Sequence, residues 1–376
     1  MQSKTKIFFK VIIVSLIAFT FAKCLVMIPL DFGFFSSNKS GKTNQFDIYS
    51  DLIKRSDNIT YDDSIVIVSL PEKAGRAELA ETMNMLADCN PAAIAMDIHL
   101  DGEKDAATDS LLIASIKKNK NVIIPSFPDK NPDSLKFLIH PGNANIKHGI
   151  VNLDNQGEEN GIIRTFLPYY LNGQDTLYCI ALEAIKLLYP EKIEKLKQRG
   201  NDHEYINYMK EFSCYNYTEI PHFADEIAGK IVILGAETAD DVHYTPIDSK
   251  LSGLKIHAYA ASTVMMEDYI NRPPTWLINV ITFIILGLFS YLQVLYSIRA
   301  GKFAGFLVRL STYLFFFIFL VLGFIIFHEY SLYIETVWCL LGVIFSPWAL
   351  DIYILLEAFI SKINNRINQN TNNINI

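Results

Sequence analysis

The sequence predicts an α/β domain, with a mostly parallel sheet covered by helices, joined to four transmembrane helices. Four apolar runs are each long enough to cross a bilayer, since about 20 helical residues span about 30 Å of hydrocarbon. Between the first and second runs, short β-branched segments alternate with segments whose apolar residues recur every three to four positions. That alternation is typical of a parallel sheet with covering helices.

The apolar runs divide the chain into four parts. Residues 1–30 form a signal-anchor helix, 31–272 the α/β domain, 273–357 three further spans, and 358–376 an Asn-rich tail. A basic start followed by the apolar stretch 11–22 also fits a cleaved signal peptide. Apolar character resumes at 25–30, however, which favours an uncleaved anchor.

Basic residues beside the spans predict the orientation, because cytoplasmic flanks carry the excess of Lys and Arg. The short link between the third and fourth spans has neither Lys nor Arg. We therefore expect both termini in the cytoplasm and residues 31–272 outside it. The basic flanking residues are Lys4, Lys6, Lys10, Arg299, Lys302, Arg309, Lys362 and Arg366.

Composition excludes some classes of partner and cofactor. Residues 31–272 carry 24 basic and 36 acidic residues, so the domain lacks the positive charge that nucleic-acid binding needs. The 5 cysteines are scattered and show no C-x-x-C spacing, so neither a disulfide scaffold nor a zinc site is expected. We expect no cofactor and no metal centre.

Within the domain, the elements follow from hydrophobic spacing in chain order. Residues 31–60 are predicted to be a linker with one short helix, and 190–222 an irregular segment that passes through one short strand near 205–208. The predicted strands are 65–70, 92–98, 121–126 and 229–236, and the predicted helices are 75–89, 105–118, 177–189 and 254–269.

Candidate site residues follow two of the predicted strands. Asp97 and His99 end one strand, and Asp240, Asp241 and His243 follow the strand that ends at Gly235. If those strands are neighbours, the side chains converge at the sheet edge where parallel folds bind ligands. The three carboxylates and an imidazole could also hold a divalent cation, although no spacing here is diagnostic of one. The alternative is a hydrogen-bonded loop without a ligand.

His257 and Asp351 lie outside these two strand ends. His257 follows in the last helix of the domain, where it either faces the ligand or packs between helix and sheet. Asp351 lies in the fourth span, where a carboxylate is costly unless paired. We expect it to contact Arg299 or a partner subunit.

Three stretches together resemble the CHASE type 2 domain, a sensory module of bacterial cyclases and histidine kinases. They are Ala-Met-Asp-Ile at 95–98; Gly-Lys-Ile-Val-Ile-Leu-Gly-Ala at 229–236, with Asp-Asp-Val-His-Tyr-Thr-Pro at 240–246; and Gly-Leu-Lys-Ile-His-Ala at 253–258. One N-terminal span, a sensor and three further spans also resemble the family's order. The loop after residues 65–70 departs from the family pattern.

The resemblance implies a bacterial inner-membrane sensor that passes a ligand or envelope signal to a partner. With only residues 358–376 after the last span, we expect the effector to be another membrane or cytoplasmic signalling protein, and a homo-oligomer is compatible with this. The sequence contains no G-x-S-x-G, P-loop or H-E-x-x-H motif, so no enzyme is predicted. The rival hypothesis is a scaffolding subunit of an envelope complex with no small ligand.

Overall fold

The chain forms two compact units, each with its own contacts. One unit comprises Met1–Leu30 together with Asn271–Ile376, and the other comprises Asp31–Ile270. The computed structural model describes residues 4–27, 44–56, 60–98, 100, 105–128, 135–137, 147–151, 161–172, 175–238, 241–248, 250–299 and 302–374.

Helices and strands alternate through most of the Asp31–Ile270 unit. The helices are α1 (Lys4–Met27), α2 (Gln45–Arg55), α3 (Arg76–Cys89), α4 (Ala106–Lys118), α5 (Ile180–Leu188), α6 (Pro190–Gln198), α7 (Ala224–Ile227), α8 (Gly253–Met265), α9 (Thr275–Arg299), α10 (Lys302–Tyr330) and α11 (Val337–Ile374), with a 3-10 helix at Tyr217–His222. The strands are β1 (Thr60–Leu70), β2 (Ala93–Asp97), β3 (Val122–Pro128), β4 (Leu135–Phe137), β5 (Lys147–Ile150), β6 (Thr165–Phe166), β7 (Tyr170–Asn172), β8 (Asp175–Leu177), β9 (Glu204–Tyr205), β10 (Lys210–Asn216), β11 (Ile231–Ala236), β12 (Val242–His243) and β13 (Leu251–Ser252).

The main sheet is parallel except at one edge, which confirms the predicted fold class. Within the described residues its order is β10-β1-β11-β2-β3-β4, and β5 also pairs with β3. Only β4 runs antiparallel to its neighbour. The last long strand, β11, therefore lies between β1 and β2, which come much earlier in the chain.

The central strands are buried on both faces, which explains their continuous runs of apolar residues. Ile65 and Ile67 of β1 face one core, while Val66 and Val68 face the other. Helices α5, α6 and α8 cover the first face, and α3, α4 and α7 cover the second. Three layers result, with the sheet in the middle.

The segment that we expected to be irregular apart from a short strand near 205–208, residues 190–222, contains α6 and β10 as well as β9, so the expectation of irregular structure was wrong. Pro190 occupies the first turn of α6, where its missing N–H costs no hydrogen bond. Strand β10 pairs in parallel with β1 along the edge of the sheet. Its polar, charged sequence hides this role, because an edge strand is only partly buried.

A buried carboxyl connects the first strand of the domain to its last helix. Asp62 of β1 accepts a hydrogen bond from the Ser262 hydroxyl of α8 at 2.6 Å, and it also accepts from Ser64. Both Asp62 and Ser262 are buried. Because the two residues are 200 positions apart, this contact exists only when the domain is folded.

The other unit contains four helices that are long and apolar enough to cross a membrane. The candidate spans are Lys4–Leu25, Thr275–Tyr296, Arg309–Tyr330 and Val337–Ile367. Helix α11 continues through the predicted tail to Ile374. The sequence predicted four transmembrane helices, and the four candidate spans are the same segments.

A polar contact lies inside this helical unit at the only proline of α11. Pro347 has no N–H to offer the carbonyl of Val343, one turn earlier. The Ser346 hydroxyl donates to that carbonyl at 2.7 Å, and the Gln293 amide of α9 donates to Ser346 at 2.6 Å. The break in the helix ladder is thereby compensated by side chains.

Ser262→Ala should destabilise the Asp31–Ile270 unit by about 1–3 kcal/mol, because it leaves a buried oxygen of Asp62 without its donor. Ser115→Ala is the matched control, since that buried hydroxyl bonds only the Leu112 carbonyl of its own helix. Pulse proteolysis of the full chain in urea measures both. Equal losses in the two variants would contradict the role of the Asp62 contact.

Candidate functional site

The candidate site lies at the carboxyl ends of β2 and β11, which are neighbouring strands. Asp97 and Gly235 are direct partners in the register of this parallel pair. The sequence argument required adjacency of these strands, and the structure has it. Residues separated by more than 130 positions thus meet at one edge of the sheet.

Gly235 is required by close packing rather than by an unusual backbone angle. A Cβ atom at this position would lie 2.7 Å from Leu254 Cδ1 and 3.0 Å from the Asp97 carbonyl oxygen. Any side chain here would therefore push α8 away from the end of the sheet. The glycine lets the helix that carries His257 approach Asp97.

Asp97, whose side chain is 14% exposed, and the buried His257 form a pair at this approach. Asp97 Oδ2 lies 3.9 Å from His257 Nε2, too far for a direct hydrogen bond. His257 is 2% exposed, and the backbone of Val151 lies close enough to its ring to favour the charged form. Asp97 lies on the same face of β2 as Ala93 and Ala95, the face that α5 and α8 cover.

Burial sets the protonation of both groups. Burial, together with the nearby negative charge of Asp241 and against a lowering by His243, raises the pKa of Asp97 to about 7. Burial lowers the pKa of His257 to about 4, although Asp241 favours the charged ring. Between pH 4 and 7 both groups are therefore mostly neutral, so the contact is not an ion pair in this range.

A second, more exposed pair lies beside the first. His243 Nε2 lies 3.0 Å from Asp241 Oδ1, and each side chain is 42% exposed. The short hairpin of β12 and β13 holds them, with Val242 opposite Ser252 and His243 opposite Leu251. The pair therefore lies between solvent and Asp97.

Gly253 keeps the Asp241 carboxylate at the first turn of α8. A Cβ atom at Gly253 would lie 2.6 Å from Asp241 Oδ2, and the Gly253 N–H donates to the Asp241 carbonyl at 3.2 Å. A carboxylate at a helix N-terminus is stabilised by the helix dipole. The glycine of the 253–258 motif is thus explained by the space that Asp241 occupies.

Sequence reasoning missed Cys179 and Val151 as neighbours of this site. Cys179 is the N-cap residue of α5, and the charge of Asp97 acts on its thiol. Burial raises the pKa of Cys179 to about 12. The only sequence clue was the start of a predicted helix near residue 177, which does not reveal what lies opposite.

Three predicted residues need separate mention. His99 and Asp240 lie outside the described residues. Asp351 of α11 lies with its Oδ2 3.8 Å from Nη2 of Arg309 in α10, both side chains being largely exposed. The side chain of Arg299, the expected partner, also lies outside the described residues.

The described candidate residues do not form a metal centre. In the parts of the chain that the structure describes, no group of three or more His, Cys, Asp or Glu side chains has an arrangement that could hold a metal ion. Asp97, His257, Asp241 and His243 instead form two adjacent pairs. Such pairs can bind protons, cations and hydrogen-bonding groups.

Comparison with known families gives one result. A family model described as the CHASE2 domain matches residues 32–296, well over half of the chain. The matched region contains every described member of the candidate site except Asp351. No curated protein and no solved structure matches significantly.

Asp97 and His257 should oppose each other in the pH dependence of stability. Asp97, with its pKa raised from 3.8 to about 7, contributes stability at low pH that is lost as the pH rises through 7. His257, with its pKa lowered from 6.5 to about 4, contributes stability above pH 6.5 that is lost as the pH falls through 4.

Asp97→Asn should therefore leave only the His257 slope, so that the free energy of unfolding of this unit rises with pH between 4 and 6.5 relative to wild type. Urea pulse proteolysis across pH 4–7.5 measures this slope. Asp225→Asn, an exposed carboxylate in α7, is the control and should run parallel to wild type. An Asp97→Asn curve that is also parallel would refute the protonation scheme.

Gly235→Ala should destabilise the Asp31–Ile270 unit by about 1–3 kcal/mol, because the added methyl meets Leu254 and the Asp97 backbone. Leu254→Ala alone should cost about 2–5 kcal/mol through its cavity. The double variant should lose less than the sum, since the new methyl enters the vacated space. Strict additivity in a double-mutant cycle would show that the steric account is incorrect.

Proposed function

The chain belongs to the CHASE2 domain family, and we propose that its Asp31–Ile270 unit is the input of a membrane-anchored signalling protein. CHASE2 is a sensory extracellular domain, and four candidate spans make the chain a multi-pass membrane protein. In our proposal the unit detects a ligand or a change in the envelope. The transmembrane helices then pass that signal to a partner protein.

The observation that carries this proposal is the Asp97–His257 pair beside the exposed Asp241–His243 pair. A carboxyl with a pKa of about 7 changes its charge with a small change in its surroundings. A bound cation favours its ionised form, whereas a hydrogen-bond acceptor favours its protonated form. Either change acts on His257, which lies in α8.

The ligand chemistry follows from the charges at the site. The described groups that meet there are two carboxyls and two imidazoles. Anionic ligands are disfavoured, because the Asp241 carboxylate repels them and Asp97 adds a second negative charge when it is ionised. We propose a small cationic or polyhydroxyl compound, bound where open α/β sheets accept ligands.

For orientation, we propose that Asp31–Ile270 lies outside the cytoplasmic membrane of a bacterium and that both termini lie in the cytoplasm. The support is the distribution of basic residues. Lys4, Lys6 and Lys10 begin α1, and Lys302 begins α10. The link between α10 and α11, residues 331–336, contains no Lys or Arg.

We propose that the chain acts by binding and not by catalysis. A covalent mechanism needs an ionised or activated nucleophile beside a base. The thiol nearest to the site, Cys179, has a pKa raised to about 12 by burial, which suppresses the thiolate. Output therefore depends on helix packing that a partner detects, since a ligand shifts only states that it binds differently.

Ligand binding to the folded unit should raise its thermal unfolding midpoint. At a ligand concentration of 100 times the Kd, the free energy of unfolding should increase by about 2.7 kcal/mol. The full chain in lipid nanodiscs is tested by thermal proteolysis with polyamines, divalent cations and neutral sugars. Proteolysis is needed because all 3 tryptophans, Trp276, Trp338 and Trp348, lie in the helical unit.

The expected result is a saturable shift in wild type and in Asp225→Asn that is lost in Asp97→Asn and Asp241→Asn. Asp225 is matched in chemistry and lies exposed in α7. A shift that survives Asp97→Asn would place the ligand elsewhere. No shift with any compound would favour the scaffolding hypothesis and direct the search to protein partners.

A further inference from the structure

Helix α2 is the first element of the Asp31–Ile270 unit in chain order. Among the described elements it follows α1, the first candidate span, and residues 28–44 connect the two in the sequence. The first span is therefore joined to the sensory unit through α2. Whatever holds α2 in place acts at that junction.

One buried carboxylate both starts α2 and fixes it to the rest of the unit. Asp47 Oδ2 accepts a hydrogen bond from the Asn44 N–H at 2.8 Å, and Asn44 Oδ1 accepts one from the Asp47 N–H at 3.2 Å, which completes a capping box. The Arg164 guanidinium donates to the same carboxylate, from Nε at 2.7 Å and from Nη2 at 2.6 Å. Two parallel, charge-assisted bonds of this kind are strong and depend on geometry.

Helix α2 is too short to be stable without its docked face. Phe46, Tyr49 and Ile53 are buried, and the Phe46 ring centroid lies 4.6 Å from that of Tyr205. The helix has 11 residues, and isolated helices of about that length are marginal in water. Docking and folding of α2 are therefore coupled, which gives this element two states, docked and released.

The segment that carries Arg164 is bonded to the candidate site. The N–H of the preceding residue, Ile163, donates to the Tyr244 carbonyl at 2.8 Å. Tyr244 directly follows His243 of the exposed pair, within residues 241–245, which we call the site loop. The guanidinium that holds α2 is thus one residue away from a backbone contact with the site loop.

A second contact connects the same segment to helix α8. The Tyr208 hydroxyl donates to the Ile163 carbonyl at 2.9 Å. The Tyr208 ring packs on the ring of Tyr259 in α8, with 5.0 Å between the centroids. Tyr259 is two residues after His257 in that helix. The site loop and the helix that carries His257 therefore meet at one backbone segment.

We propose that α2 is a clamp that is docked in one state of the candidate site and released in the other. The Ile163–Arg164 segment is bonded to the site loop on one side and to α2 on the other. A shift of that loop therefore changes the position of the guanidinium that holds α2. The inference rests on the proposed function for its input, and it adds the element that responds.

Linkage makes such a coupling reciprocal. A ligand shifts the docking of α2 only by its difference in affinity for the two states, and docking changes the ligand affinity by the same factor. The alternative is that α2 is a fixed structural cap whose docking is independent of the site. The two accounts differ in whether breaking the α2 contact loosens the site loop.

Hydrogen exchange of the full chain in lipid nanodiscs, followed by mass spectrometry, tests the clamp. Arg164→Met removes both hydrogen bonds to Asp47 and keeps an unbranched side chain of similar length. Exchange should become about tenfold faster in residues 45–55, because α2 is released more often. By reciprocity, exchange in residues 241–248 should also become faster.

Arg76→Met is the matched control. Arg76 forms an ion pair with Asp109 that is also shielded from water, and this pair joins α3 to α4 on the other face of the sheet. The control should speed exchange in residues 76–89 and 106–118. It should leave residues 45–55 and 241–248 unchanged.

A change at the site itself tests the opposite direction. Asp241→Asn removes the charge that holds His243 and that the first turn of α8 stabilises, so the site loop loosens. Exchange in residues 45–55 should become faster, although the substitution does not touch α2. Asp225→Asn, the exposed carboxylate of α7, should leave that exchange unchanged.

The proposal is overturned if Arg164→Met speeds exchange only in α2, if Arg76→Met acts equally on residues 241–248, or if Asp241→Asn leaves α2 unchanged. Arg164→Lys keeps the charge but not the paired bonds, and it should give a weaker form of the same pattern. This milder variant decides the question if Arg164→Met unfolds the unit. None of these measurements uses a ligand, so their failure is distinct from a negative ligand screen.

Discussion

The fold of the sensory unit depends on three central strands that are buried on both faces. Strands β1, β11 and β2 each offer apolar side chains to two cores, so helices must cover both sides of the sheet. Parallel pairing then directs every carboxyl end to one edge. The last strand is inserted between two early ones, so the site is assembled only when the chain closes around it.

The same burial that stabilises the sheet sets the chemistry of its edge. Asp97 continues the alternation of β2, so its side chain points into the layer of α5 and α8 and loses water. Because Gly235 and Gly253 have no Cβ atom, α8 can lie close to Asp97 and Asp241. The raised pKa of Asp97 and the lowered pKa of His257 are therefore consequences of packing.

Much of the fold follows from local patterns. Continuous β-branched runs identify β1, β2 and β11, and three-to-four spacing identifies α3, α4, α5 and α8. Strand β10 was missed because its stability comes from pairing with β1, which one sequence does not reveal. For the same reason the sequence placed Asp97 and Asp241 at strand ends but left open whether those strands are neighbours.

The partners of Asp97 were less predictable still. Cys179 and Val151 lie near Asp97 and His257 because α5 and β5 pack at the same edge, and no motif surrounds them. Gly149 permits that packing, since a Cβ there would lie 2.6 Å from the Ile180 Cα atom. Steric requirements of this kind depend on the completed layers, so they appear only in three dimensions.

The last two spans of the helical unit differ in how much of their surface is buried, and this difference bears on how a signal could pass. Helix α10 is largely exposed along its span, as expected of a helix that faces lipid. In helix α11 the ladder of backbone hydrogen bonds is interrupted at Pro347, where the side chains of Ser346 and Gln293 replace a lost backbone hydrogen bond. Side-chain hydrogen bonds are easier to rearrange than a helix ladder. A change in packing along α11 therefore has its least costly position at Pro347, within the part of the helix that packs against α1 and α9.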